Sequence, residues 1–192
     1  MKKIGITGGI GSGKTYISNI FKSLAIPLFN SDIEAKILMN SSKKLIIQIK
    51  KEFGEDIYTN GNFNKEKLSS IVFSNSDKLQ KLNSLVHPIV KQEFNNWCKK
   101  KTSPYVIKEA AILFESNSHL ELDEVICVSA PMELRIKRIL ERDNSTEKEI
   151  KKRIENQISQ EEKEKLSDYI IVNDEKELLL PKIIKIHDKL YK

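Results

Sequence analysis

A chain of 192 residues with 39% hydrophobic and 31% charged content is long enough to bury one ordinary core and too rich in apolar residues to be disordered. Its formal net charge of +6 suits a nucleic-acid partner or a site that handles polyanions, yet the lysine run Lys99 to Lys101 has no aromatic interleaving, and a general bias toward lysine accounts for most of the excess. Cys98 and Cys127 form no C-x-x-C pair, no signal peptide fits after Met1, and no apolar run approaches ~18 residues, so the expectation is a cytoplasmic protein with reduced thiols and neither nucleic-acid nor membrane partners.

The first predicted strand, Lys2 to Thr7, carries Ile4 and Ile6. It runs into Gly8-Gly9-Ile10-Gly11-Ser12-Gly13-Lys14-Thr15, a complete G-x-x-x-x-G-K-[ST] pattern, and then into a helix whose Ile17, Ile20, Phe21 and Leu24 recur at helical spacing. Four of the seven glycines fall between positions 8 and 13, which points to a local backbone requirement. Strand, glycine loop and helix N-terminus together form a phosphate cradle, because successive N–H groups point inward and the helix end adds partial positive charge. Gly9, Gly11, Ser12 and Gly13 line it, Lys14 reaches the β- and γ-phosphates, and the Thr15 hydroxyl holds Mg²⁺.

Pro27-Leu28-Phe29 reads as a second strand, ending at Asn30-Ser31-Asp32. Asp32 then stands at the carboxyl edge of a parallel sheet, where open α/β proteins place ligands; it serves either as a helix N-cap or as the acceptor of a proton from an attacking hydroxyl. Residues 33–101 read as mainly helical, with Leu45, Ile49 and Phe53 in one stripe, Leu79, Leu82, Leu85 and Val86 in another, and a break from Gly54 to Asn62. Pro88 is expected to kink or cap the later helix, and His87 beside it is structural or touches substrate.

Tyr105-Val106-Ile107 opens a third strand that carries Glu109, a candidate for the metal shell, and leads on to Glu115, a supporting or orienting acid. Glu124 to Ser129 is the fourth strand, and the helix after Pro131 sets Arg135, Arg138 and Arg142 on one face. Such stripes are usually solvated, but phosphoryl transfer needs more cations than one lysine. Asp143 to Glu149 suits a mobile lid, and Lys151 to Leu166 a charged helix bearing Arg153 and Gln157. Tyr169 to Val172 is the fifth strand, ending at Asn173 on the ligand edge, and Glu177 to Tyr191 closes the chain as an amphipathic helix.

A GTPase switch is excluded, since no aspartate has glycine three residues on and Asn64-Lys65-Glu66-Lys67 lacks the aspartate of [NT]-K-x-D. A nucleic-acid motor needs a longer chain and a strand ending in paired acids. Small-molecule kinases remain. Within that class the ordered set Ile6 to Lys14, Ser31-Asp32, His87-Pro88, Ile112 to Glu115, Arg153 with Gln157, Lys163, Ser167-Asp168-Tyr169 and Asn173 resembles the dephospho-CoA kinases across almost the whole chain.

That resemblance implies a three-layer α/β phosphate-loop fold with a five-stranded parallel sheet between helices, and transfer of the ATP γ-phosphate to the ribose 3′-hydroxyl of dephospho-coenzyme A. It implies a core of about 1–32, 102–137 and 164–192, a helical coenzyme-binding insertion of about 33–101 and a lid of about 138–163. Asp32, Lys14, Arg142 and Arg138 carry the chemistry, Asn173 joins the loop in holding ATP, and His87, Glu115, Arg153 and Gln157 join Asp32 in holding the acceptor; Thr15 and Glu109 hold Mg²⁺. The expected state is a monomer or weak homo-oligomer.

Three departures from the family pattern stand out. Asn30 replaces a second aspartate and leaves Asp32 as the base; Ala111 replaces a proline; Tyr16 replaces a threonine after the loop, though its N–H still faces the α-phosphate. The rival readings are a nucleoside or nucleoside-monophosphate kinase and a nucleotide-sensing protein without catalysis.

Overall fold

The computed structural model describes residues 1–59, 62–73, 75–143 and 145–192. Asn60 and Gly61 of the expected break, and Asn144 of the expected lid stretch, lie outside them. The chain divides into two compact units, Met1–Asn30 with Lys101–Lys192, and Ser31–Lys100.

The first unit opens with β1 (Lys2–Thr7), α1 (Lys14–Ser23) and β2 (Leu28–Asn30). The second then holds α2 (Ser31–Ser41), α3 (Lys43–Phe53), a hairpin of β3 (Tyr58–Thr59) with β4 (Asn62–Phe63), α4 (Lys65–Phe73) and α5 (Ser76–Cys98). The chain returns to the first unit through β5 (Tyr105–Glu109), β6 (Glu124–Ser129), α6 (Met132–Arg142), α7 (Glu147–Glu155), α8 (Gln160–Lys165), β7 (Tyr169–Val172) and α9 (Leu179–Leu190).

The five long-range strands form one parallel sheet in the order β2-β5-β1-β6-β7, with β1 at its centre. Alternation along the strands explains its two covered faces. Ile4, Ile6, Tyr105, Ile107, Ile126, Val128 and Ile171 point to one side, where Ile17 and Phe21 of α1 and Ile183, Ile186 and Leu190 of α9 close over them. On the other side Leu113, Phe114 and Val125 form a smaller cluster, and Gly5 leaves room for it, since a Cβ there would lie 2.7 Å from Leu122 and 2.8 Å from Leu113. Pairing Asn30 with Glu109, Thr7 with Cys127 and Ser129 with Val172 brings the carboxyl ends of all five strands to one rim.

At the opposite end, the fully buried Tyr105 hydroxyl lies 2.6 Å from His187 Nδ1, tying the start of β5 to α9. Burial, reinforced by Asp188 and Tyr191, pushes the phenol pKa well above its ordinary value. Tyr105→Phe removes one partner of this bond and is expected to lower stability by about 1 kcal/mol, measured as a denaturant midpoint, with turnover unchanged because the rim is untouched.

Two helical expectations are revised. Of the kink or cap expected at Pro88, the cap does not form, because α5 runs from Ser76 to Cys98 and keeps Val86, Val90, Phe94 and Cys98 buried at spacings of four. That continuous stripe outweighs the roughly 3 kcal/mol a proline costs inside a helix. The charged stretch Lys151 to Leu166 is two helices. Thr146 and Glu149 start α7 with a capping box, Asn156 ends it, and the Ser159 hydroxyl accepts from Glu162 N–H at 3.1 Å to start α8.

Candidate active site

The phosphate loop occupies the rim directly after β1. Gly13 stands at the N-cap of α1 with φ +94, a left-handed conformation in which a side chain would be strained, and a Cβ there would also lie 2.2 Å from Asn173 Nδ2. Glycine therefore lets the Asn173 amide close over the loop. That amide donates to the Ser12 carbonyl at 2.9 Å, and Arg138 Nη2 donates to the Asn173 carbonyl and Oδ1 at 3.2 and 3.3 Å. Arg138 also pairs with Glu175 at 2.8 Å. Tyr16, Arg138, Asn173, Glu175 and Leu179 line a cavity of about 430 Å³ beside Gly13.

The front of the loop is held separately. Gly9 N–H donates to Gln160 Oε1 at 3.2 Å, Ile10 N–H donates to Gln157 Oε1 at 3.0 Å, and Arg135 Nε donates to the Ile10 carbonyl at 2.9 Å. Lys14 Nζ lies across the loop and donates to the Gly8 and Gly9 carbonyls at 2.9 and 3.2 Å. Its ammonium is thus already placed among the groups that would surround a phosphate chain.

Thr15, on the first turn of α1, donates its hydroxyl to Glu109 Oε1 at 2.8 Å, and Asn30 Nδ2 donates to Glu109 Oε2 at 3.1 Å. Glu109 is only 4% exposed, so these bonds compensate a carboxylate taken out of water. An aspartate at position 30 would set a second acceptor against it, whereas the Asn30 amide supplies a donor. No group of three or more His, Cys, Asp or Glu residues that could hold a metal occurs among the described residues. A hydroxyl beside one buried carboxylate nevertheless fits Mg²⁺, which keeps several waters and takes one or two carboxylates plus substrate phosphates.

The remaining expected site residues fall as follows. Asp32 lies in the first turn of α2, exposed, and its carboxylate has no hydrogen bond or ion pair among the described residues. A capping role would have tied it to backbone N–H groups. His87 is half-buried within α5. Arg142 is exposed and paired with Asp143 at 2.8 Å; Arg153 reaches the same aspartate at 3.6 Å. Glu115 accepts from Ile158 N–H at 3.1 Å and pairs at 2.8 Å with Lys163, which is fully buried and also donates to the Ala111 carbonyl. The structure thus engages Glu115 in anchoring the start of α8. Gln157, expected at the acceptor, contacts the Ile10 N–H and the Ala111 carbonyl.

Two loop-holding residues were not assigned from sequence. Arg135 was noted only as a member of an arginine stripe, and Gln160 carried no signal beyond lying three residues after Gln157. The one available hint for Arg135 was the extra glycines, which leave room for a large neighbour.

A central β1 flanked by β5 and β6, with a glycine loop at its end and a lysine, a hydroxyl and a buried acid gathered there, defines a phosphate-loop kinase. A family model described as dephospho-CoA kinase matches residues 2–178. A Bacteroides fragilis dephospho-CoA kinase is 36% identical over 190 residues, covering 98% of this chain and 93% of that protein. The chain belongs to the dephospho-CoA kinase family. Among solved structures, TT1252 from Thermus thermophilus superposes with a TM-score of 0.85 at 26% identity, covering 98% of this chain and 95% of the other. A dephospho-CoA kinase from Campylobacter jejuni shares the fold with a TM-score of 0.69 at 24% identity, covering 98% and 96%. No described helix is long and apolar enough to cross a membrane.

Proposed function

We infer that the chain transfers the γ-phosphoryl group of ATP to the ribose 3′-hydroxyl of dephospho-coenzyme A, giving coenzyme A and ADP. The observation that carries this reading is the loop of a dephospho-CoA kinase family member in which the Lys14 ammonium lies across the loop carbonyls and the Thr15 hydroxyl is bonded to Glu109. Lys14 exchanges its two loop carbonyls for β- and γ-phosphate oxygens, and the loop N–H groups hold the rest of the chain of phosphates. Thr15 and Glu109 would hold Mg²⁺, which when bound would supply positive charge to offset that of the phosphates. The cavity beside Tyr16 and Asn173 takes the nucleoside end.

Asp32, exposed and without a partner among the described residues, orients or deprotonates the acceptor hydroxyl. Arg138 stabilises developing charge, and Arg142 joins it on release from Asp143. His87 and Arg153 contact the acceptor, while Glu115 and Gln157 act by fixing the loop and the start of α8. The protein works in the cytoplasm as a monomer or weak homo-oligomer.

Purified protein with Mg-ATP should release ADP when given dephospho-coenzyme A and not when given AMP, dTMP or pantetheine phosphate. Preferential turnover of AMP or dTMP would instead favour a nucleoside-monophosphate kinase, and ATP binding without ADP release from any acceptor would favour a non-catalytic sensor.

A further inference from the structure

We propose that Arg135 is a positioning residue for phosphoryl transfer: from the outside of the phosphate loop its buried guanidinium fixes the Ile10–Gly11 peptide, so that the amides beyond it stay aimed at the triphosphate. This rests on the nucleotide reading above and adds a residue to it.

The loop and α6 are built around this contact. A Cβ on Gly9 would lie 2.2 Å from Arg135 Nη2 and 2.4 Å from its Cζ, so the guanidinium lies against the bare Cα. A Cβ on Gly11 would lie 2.5 Å from the Arg135 carbonyl oxygen, which makes these two glycines the places where the loop can seat on the arginine. Gly9 thus has a purpose that phosphate binding alone does not supply. Ile10 is then gripped at both ends of its residue, its N–H by Gln157 and its carbonyl by Arg135, while Gln160 takes the N–H of Gly9. The two glutamines are themselves fixed, Gln157 to the Ala111 carbonyl and Gln160 to Cys127 and Glu164.

The choice of arginine has a physical reason. Only a planar guanidinium can lie flat on a glycine and also aim Nε at a carbonyl; a lysine ammonium at the end of a flexible stem cannot do both. Arg135 is 3% exposed, and among the described residues no carboxylate lies within ion-pair distance of it. Burial draws its pKa down, and exposed Glu161 acts on it only at longer range. A nearly buried positive charge with no carboxylate in ion-pair distance adds its field to that of Lys14 across the loop.

The test uses Arg135→Met and Arg135→Lys in the full chain, with ATP and inorganic tripolyphosphate as calorimetric ligands and steady-state kinetics alongside. Loss of a buried charged hydrogen bond predicts that Arg135→Met binds both ligands about 10- to 100-fold more weakly, while the KM for dephospho-coenzyme A stays at its original value. Arg135→Lys should recover part of the affinity, because it restores charge but not the fork. Equal loss for ATP and tripolyphosphate marks an effect on the phosphate cradle, which a general loss of stability in a folded variant would not produce. Unchanged tripolyphosphate affinity in Arg135→Lys overturns the proposal, even if Arg135→Met fails to fold. A rise confined to the acceptor KM overturns it as well. Original protein that binds neither ligand sinks the nucleotide reading as a whole, whereas normal binding that survives in both variants sinks the role of Arg135 alone.

Discussion

Asp32→Asn is expected to lower kcat about 10²- to 10⁴-fold, the span associated with losing a positioned general base. The substitution preserves shape in the first turn of α2, and since the Asp32 carboxylate has no protein partner among the described residues, no packing or ion pair is lost with it. Its structural cost is confined to a favourable interaction between an acid and a helix N-terminus, about 0.3–1 kcal/mol. Affinity for ATP should therefore stay level while ADP release with saturating dephospho-coenzyme A collapses. Asn30 cannot take over, because its side chain is an amide already donating to Glu109. Turnover close to that of the original protein would remove Asp32 from the chemistry.

Lys14→Met is expected to reduce kcat about 10²- to 10³-fold, the scale of deleting one preorganised donor at developing charge. Methionine keeps an unbranched stem, so the variant loses chiefly the ammonium and its bonds to the Gly8 and Gly9 carbonyls. Single-turnover measurements with prebound ATP separate the chemical step from binding. A rate at the level of the original protein in that measurement would show that the loop lysine does not touch the transferred group.

The central strands were legible because burial on both faces of a parallel sheet demands short apolar runs, and Ile4, Ile6, Ile107, Ile126 and Val128 supply them between turn residues. The loop was legible because its backbone conformation restricts residue choice, as Gly13 illustrates. Other features have no such local cause. The hairpin of Tyr58–Thr59 with Asn62–Phe63 has two residues per strand, too few for alternation to register. The gap between α7 and α8 hides in a charged stretch because Asn156 and Ser159 resemble their polar neighbours until their capping bonds are seen.

Depth within the arginine stripe was likewise invisible. Helical spacing sets Arg135, Arg138 and Arg142 on one face, yet Arg135 is buried under the loop, Arg138 meets Glu175 and Asn173, and Arg142 is exposed against Asp143. Their different surroundings arise from tertiary neighbours: the glycine surface beside one, an amide beside the next and solvent around the third.

The tethers on either side of α7 limit what a closing movement can be. Arg135 and Arg138 pin the helix before it, and Gln157, Gln160 and the Glu115–Lys163 pair pin the chain after it. The lid expected there would therefore move as a handle fastened at both ends, and not as a flap with a free tip. Such a handle would travel a short arc and give up little freedom on shutting, so its opening need not disturb the nucleotide seat for product to leave.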